Sequence, residues 1–75
     1  MQNLDEPIKG VGIPEVAKAC GVTERAVYEW LKNGFLPKTE FFGKTKYASK
    51  IEEISGGKYQ ASEMLEISKK NLLAA

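Results

Sequence analysis

Apolar residues recur at helical spacing in short segments that Gly and Pro separate, and this pattern predicts an all-helical chain. In a first short helix, Leu4 and Ile8 fall on one face, Asn3 is the expected cap, and Gly10 and Gly12 end the element. No alternation of apolar and polar residues is long enough to predict a β-strand.

The pattern is clearest over residues 13–34. A second helix is predicted from Pro14 to Cys20, because apolar residues recur there at i, i+3, i+4 and i+7, and Gly21 ends it in a left-handed turn. Thr23 is the expected cap of a third helix, which Asn33-Gly34 terminates. The apolar face of this third helix holds Ala26, Val27, Trp30 and Leu31.

Beyond residue 34 the apolar residues are less regular. Phe35-Leu36-Pro37 is predicted to fold back on the core, and Phe41-Phe42 to fill the bottom of the core. A fourth helix is predicted from Tyr47 to Ser55, burying Tyr47, Ile51 and Ile54.

The end of the chain carries a weaker pattern. Ser62 is the expected cap of a short final turn that contains Met64 and Leu65. We therefore predict one folded domain over residues 1–66 and a mobile C-terminal tail over residues 67–75.

The second and third helices have the spacing of a helix-turn-helix, in which two helices cross closely at a tight turn. That geometry favours a small residue in mid-helix, a glycine at the turn and bulky apolar residues that hold the next helix. Those positions are occupied by Ala17, Gly21, Val27 and Trp30. The alternative is a plain helical hairpin, in which the same residues serve packing alone.

The exposed face of the third helix favours DNA binding over that alternative. Arg25 can donate to guanine, Tyr28 can contact the thymine methyl group, and Glu29 can accept from cytosine. These residue types fit base edges in a major groove better than they fit a purely structural helix.

Composition excludes most other chemistry. The chain of 75 residues has no His and one Cys, which excludes His-based triads, His-ligated or multi-Cys zinc and an intrachain disulfide. We therefore expect no catalytic residue, no metal and no cofactor, and hence no enzyme. A single Cys is typical of a reducing compartment, so we expect a cytoplasmic protein, and neither a secretory signal nor an apolar run of about 20 residues for a membrane is seen.

The net charge of +1 is unevenly distributed. Residues 13–50 carry a net +3, while residues 1–12 and residues 51–75 carry −1 each. A polyanion would therefore meet the middle of the chain.

The segment from Gly12 to Leu31, GIPEVAKACGVTERAVYEWL, resembles the helix-turn-helix of phage Cro and repressor proteins. The Asn33-Gly34-Phe35-Leu36-Pro37 run that follows is also similar to that family. The resemblance covers roughly residues 4–65 and is strongest for the all-helical branch of Cro and for Cro-like regulators described as antitoxins. It implies a lambda-repressor-like bundle of four or five short helices.

The resemblance also implies roles for individual residues. Those matching base-contacting positions of the recognition helix, at about residues 23–32, are Glu24, Arg25, Tyr28 and Glu29. Those expected to contact phosphate are Thr23, Lys32, Lys38, Lys44 and Lys46. The family often has Gln where this chain has Ile13, so a phosphate contact there would fall to backbone N–H groups near Gly12 and Glu15.

A short loop before the fourth helix offers a second backbone site. Gly43-Lys44-Thr45 matches only the end of a phosphate-binding loop, and no strand precedes it, so a nucleotide site is not expected. The N-terminus of the fourth helix could nevertheless receive a DNA phosphate.

Two functions follow. The first is a Cro-like transcriptional repressor that binds double-stranded operator DNA as a homodimer, since two half-sites lie about 34 Å apart. Dimer contacts are expected from the fourth helix, Tyr59 and the C-terminal apolar residues. The alternative is an antitoxin or adaptor that binds a toxin or another protein through the same fold, and Glu24 and Glu29 support it because carboxylates repel phosphates.

Overall fold

The computed structural model describes residues 3–74, which form five α-helices and one 3-10 turn. The helices are α1 (Asp5–Val11), α2 (Ile13–Cys20), α3 (Glu24–Asn33), α4 (Tyr47–Ile54) and α5 (Ala61–Ala74), and the 3-10 turn covers Lys38–Glu40. No strand is present in this part of the chain. The predicted all-helical fold is confirmed, with a radius of gyration of 10.8 Å.

The core lies where the apolar stripes of the five helices meet. The predicted stripes are confirmed for most positions, since side chains from every helix and from the Phe35–Pro37 segment are almost fully buried. The most buried apolar residues are Leu4, Ile8, Val16, Val27, Leu36, Ile51 and Met64. Burial of this apolar surface is the main stabilising contribution to so small a fold.

The first helix continues one residue past Gly10, which was predicted to end it. The Tyr59 ring packs against Gly10 so closely that a Cβ there would lie 2.9 Å from the ring Cζ. Gly10 is therefore a site of close packing inside α1, and Gly12, with φ 112°, ends the helix. The residue in the N-cap position of α1 is Leu4 and not the expected Asn3, whose side chain instead accepts a hydrogen bond from the Asp5 N–H at 3.0 Å in a local turn.

The fourth helix begins at Tyr47 as predicted, but the residues before it are placed differently. Phe41 and Phe42 do not fill the core, because the turn after the 3-10 segment carries both rings outward, with Phe42 72% exposed. Ile54, expected to be buried, is 41% exposed at the end of α4. In this segment the side chain that points inward is that of Glu40, which is buried.

The last helix is much longer than the predicted turn. It starts at Ala61, one residue before the expected cap Ser62, and the Ala61 N–H donates to the Glu52 Oε1 at 2.7 Å. It then runs through the segment assigned to a tail, as far as Ala74. Ser68 is buried and accepts a hydrogen bond from the Leu36 N–H at 3.0 Å, so the chain beyond residue 66 is part of the folded domain.

Candidate nucleic-acid interface

Helices α2 and α3 form the helix-turn-helix, joined by residues 21–23. Gly21 adopts a left-handed conformation with φ 69°, and its N–H donates to carbonyl oxygens at the end of α2. A Cβ on Gly21 would meet nothing within 4 Å, so the turn needs glycine for its backbone conformation and not for space. The Thr23 Oγ1 accepts a hydrogen bond from the Ala26 N–H at 3.2 Å, which places the start of α3 as predicted.

Three predicted packing residues hold α3 in place. Ala17, Val27 and Trp30 are all 5% exposed or less. The Trp30 ring also stacks on Tyr47 with ring centroids 5.0 Å apart, which ties α3 to α4. One side of α3 is therefore fixed against the protein, and the opposite side is presented as a rigid surface.

The opposite side of α3 carries the predicted base-contacting residues. Glu24, Arg25, Tyr28 and Glu29 are all exposed. Arg25 and Glu29 lie one helical turn apart, a spacing that permits an ion pair, yet within residues 3–74 neither has one. Their hydrogen-bonding groups are therefore available to an outside partner.

The predicted phosphate-contacting residues are also at the surface. Thr23 and Lys32 lie at the two ends of α3, Lys38 lies in the 3-10 turn, and Lys44 and Lys46 lie in the loop before α4. Each is exposed. Cations at these positions can bind phosphate without leaving water.

The N-terminus of α4 is occupied from within the protein, which corrects its prediction as a phosphate site. The Glu40 carboxylate accepts from the Tyr47 N–H and the Ala48 N–H, each at 2.9 Å, and from the Thr45 hydroxyl. The Glu40 carboxylate thus takes the place at the N-terminus of α4 that a phosphate would need.

The backbone phosphate site predicted near Gly12 and Glu15 is partly occupied as well. The Gly12 N–H donates to the Ile8 carbonyl oxygen at 2.8 Å, so it cannot bind a phosphate. Of the two residues named for that contact, only Glu15 stays a candidate.

Cys20 has the surroundings of a core residue. Its thiol is half-buried, and its Sγ lies 3.9 Å from the Tyr47 carbonyl oxygen. Burial, with the Glu40 carboxylate nearby and only partly offset by Lys50, raises the pKa of the Cys20 thiol from 9.0 to about 11. The thiol is therefore protonated and weakly nucleophilic at neutral pH.

Sequence reasoning missed the residues that position the C-terminal end of α3. The Asn71 Nδ2 donates to the Gly34 carbonyl oxygen at 2.6 Å, and the neighbouring Ser68–Leu36 bond holds the chain just beyond. No local pattern signals these contacts, because each joins residues more than thirty positions apart.

Two further features concern metal ions and membranes. Residues 3–74 contain no cluster of acidic or cysteine side chains that could hold a metal ion. Among the same residues, no helix is long and apolar enough to span a bilayer.

Comparison with known proteins gives an informative match. The chain is 48% identical over 68 residues to the 8.4 kDa cro protein of Escherichia phage HK022, and the alignment covers 91% of this chain and 90% of that protein. No family model matches the chain, and no solved structure gives a significant match.

Proposed function

The chain belongs to the family of phage Cro proteins, and from this premise we propose that it is a repressor that binds operator DNA sequence-specifically as a homodimer. It acts in the cytoplasm, on double-stranded DNA, through the outer face of α3. The observation that carries the proposal is that face: a rigidly packed helix whose base-reading side chains have no partner within the described protein.

The proposed reading of DNA divides the surface into two roles. Arg25 donates two parallel hydrogen bonds from one guanidinium edge to O6 and N7 of one guanine, while Tyr28 and Glu29 refine the choice at neighbouring bases. Thr23 and the exposed lysines bind phosphates and set the register of α3 in the groove. Glu24, at the first turn of α3, accepts from a cytosine or adenine amino group.

Repression follows from occupancy. A dimer on two half-sites covers about one turn of duplex between the two recognition helices, and polymerase cannot use DNA that is already covered. Because the net charge is only +1, non-specific attraction is weak, and specificity depends on α3 and on two copies binding together.

Selection of bound duplexes from a random pool, at about 50 mM salt, tests the proposal. We expect a site with two related half-sites about 10 base pairs apart, centre to centre. The selected duplex should then bind at least 1,000-fold more tightly than random DNA, an order of magnitude typical of specific binders. Failure to shift either selected or random duplex at low salt would exclude DNA binding and leave the protein-binding alternative.

A further inference from the structure

Three of the residues assigned above to DNA phosphate lie in one loop. Lys38, Lys44 and Lys46 are exposed within residues 38–46, called the lysine loop below, which begins with the 3-10 turn and ends at the start of α4. A loop that is already ordered in its binding shape loses less conformational freedom when it binds. The contacts that hold the lysine loop in shape therefore affect how strongly its lysines can bind phosphate.

Apolar packing does not hold the lysine loop. Its large apolar side chains are Phe41 and Phe42, and both are exposed. Glu40 is the only residue from Lys38 to Lys46 that is buried. A carboxylate is rarely buried unless its oxygens are paired. The order of the loop therefore depends on the polar contacts of Glu40.

The Glu40 carboxylate joins the start of the lysine loop to its end. Its Oε2 accepts a hydrogen bond from the Tyr47 N–H at 2.9 Å and another from the Thr45 hydroxyl. Its Oε1 accepts from the Ala48 N–H at 2.9 Å. One side chain thus fixes the 3-10 turn, the residues before α4 and the first turn of α4 to one another.

Thr45 extends this network to all three lysines. Its Oγ1 lies 3.0 Å from the Thr39 Oγ1, and the Thr39 carbonyl oxygen accepts from the Lys44 N–H at 2.9 Å. Thr39 directly follows Lys38, and Thr45 lies between Lys44 and Lys46. Each lysine is therefore next in sequence to a residue that is bonded into the network around the buried carboxylate.

We propose that Glu40 is a positioning residue for DNA binding, which acts through Thr45 to hold Lys38, Lys44 and Lys46 in the arrangement that contacts phosphates. This inference rests on the proposed function and deepens it, because it names what prepares the phosphate-binding loop. Glu40 itself touches no DNA in this proposal. Its hydrogen bonds contribute affinity by ordering the loop before the duplex arrives.

Electrostatics alone predicts the opposite effect. Glu40 places a negative charge behind a surface assigned to phosphate, and like charges repel. If repulsion were its whole effect, removal of the carboxylate would strengthen DNA binding. If Glu40 positions the lysines, the same change weakens binding, so the two effects differ in sign.

Fluorescence anisotropy of Glu40→Gln with the selected duplex and with random duplex, from 50 to 200 mM salt, tests the inference. Gln keeps the shape of the side chain but loses the charge and one acceptor oxygen. We expect affinity to fall at least about threefold on both duplexes, and the slope of log affinity against log salt to fall by about 1. The preference at the base pair assigned to Arg25 should stay as in the wild type, because phosphate contacts carry no sequence information.

Glu52→Gln is the matched control for charge and for capping. The Glu52 Oε1 accepts from the Ala61 N–H at the start of α5, so this carboxylate also serves a helix from a distance but lies outside the lysine loop. We expect its affinity for both duplexes within about twofold of the wild type, because salt screens a charge that lies away from the contact. If Glu40→Gln binds DNA no more weakly than Glu52→Gln, the inference is overturned.

Two variants of Thr45 test the same network at unchanged charge. Thr45→Val removes the hydroxyl and keeps the branched shape, whereas Thr45→Ser keeps the hydroxyl. We expect Thr45→Val to lose affinity and salt slope as Glu40→Gln does, and Thr45→Ser to keep wild-type values within about twofold. Wild-type affinity and slope in Thr45→Val would equally overturn the inference. Circular dichroism at the titration temperature checks that every variant is folded.

NMR of the free chain separates this inference from the function on which it rests. We expect the heteronuclear NOE of the Lys44 and Lys46 amides to fall in Thr45→Val and to stay at the wild-type value in Thr45→Ser. If the wild-type chain binds no duplex, the proposed function fails, and these NOE values alone show whether the network orders the loop. If the wild-type chain binds DNA but the loop variants bind as it does, the function stands and the positioning role of Glu40 fails.

Discussion

In the proposed complex with DNA, Arg25 is the side chain assigned the largest part in base recognition. It lies in the first half of α3, exposed and without an ion pair to any described residue. A guanidinium binds guanine through two parallel hydrogen bonds, which an ammonium cannot reproduce. The role proposed for Arg25 therefore depends on the geometry of its side chain as well as on its charge.

Replacing Arg25 with Ala should weaken binding to the selected duplex by about 1–3 kcal/mol and relax the preference at one base pair. Replacing it with Lys is the matched control for charge, because it keeps attraction to phosphate and loses the paired hydrogen bonds. We expect Arg25→Lys to lose the preference at that base pair nearly as completely as Arg25→Ala does. Fluorescence anisotropy with a panel of single-base variants measures both effects, and an unchanged preference in Arg25→Ala would remove this residue from base recognition.

Cys20 gives a prediction about reactivity. With a pKa of about 11 in the folded chain against 9.0 for an ordinary thiol, its thiolate fraction at pH 8 is about 100-fold lower. Alkylation by iodoacetamide at pH 8 should therefore be roughly 10- to 100-fold slower than in urea-unfolded protein. Equal rates in the two states would contradict the raised pKa of the half-buried Cys20 thiol.

The same shift has a consequence for stability at high pH. Below pH 9 the thiol is protonated in both states, and the contribution of Cys20 to stability is fully present. Between pH 9 and about 11 the unfolded chain ionises first, so the free energy of unfolding falls as pH rises. Urea unfolding at several pH values should show this fall in the parent and lack that component in Cys20→Ala.

At the scale of elements, Glu40 joins the 3-10 turn to α4. Its carboxylate binds two N–H groups at the start of α4 and the Thr45 hydroxyl, so it replaces the local cap that Lys46 cannot provide. Because these acceptors lie seven and eight residues from the groups they bind, a search for caps within one turn cannot find them.

Removal of the Glu40 carboxylate should destabilise the fold. We expect Glu40→Ala to lower the free energy of unfolding by about 1–3 kcal/mol, since it leaves the buried Ala48 N–H without a partner. Glu40→Gln should cost less, because its amide oxygen still accepts. Urea unfolding measures these changes, and Glu53→Ala, an exposed site on α4, is the control expected within about 0.5 kcal/mol.

The sequence predicts the elements whose signals are local and misses those set by distant contacts. Thr23, Gly21 and Gly34 act within about four residues, and their predicted roles in starting and ending helices are confirmed. Helix α5 continues through Ser68, which is buried and bonds to a residue 32 positions earlier. The sequence pattern therefore predicted a mobile tail over residues 67–75, where the structure has a helix with a buried hydrogen bond.

The same distinction applies to the proposed site. The four base-contacting candidates could be placed on one helix face because a recognition helix is a local pattern. Phe42 could not be placed, since an apolar residue in a loop is equally compatible with the core and with an interface. Only the fold decides which, and here it leaves the ring outside.

At the scale of the whole molecule, the distribution of charge determines the response to salt. Lys44 and Lys46 are exposed in the loop before α4, within the central segment of net charge +3. Each phosphate contact that is lost should reduce the slope of log affinity against log salt by about 1.

Replacing both Lys44 and Lys46 with Ala should therefore weaken binding to selected and random duplex alike and reduce that slope by about 2. Lys58→Ala is the control, because Lys58 lies against the Tyr59 ring in another part of the surface. The measurement is the affinity for each duplex from 50 to 200 mM salt. A slope that does not change would remove both lysines from the phosphate contacts.

The hydrogen bond between the Leu36 N–H and Ser68 gives one amide a special use. Leu36 lies outside every helix and is fully buried, so its amide hydrogen exchanges with solvent only when α5 moves away. Its exchange rate therefore measures the local opening of α5, separately from unfolding of the whole domain. In Ser68→Ala that one amide should exchange faster by at least about tenfold relative to the Ser62→Ala control, while an amide inside α3 follows global stability. Deuterium exchange followed by NMR at this one amide thus measures how tightly α5 is bound to the rest of the domain.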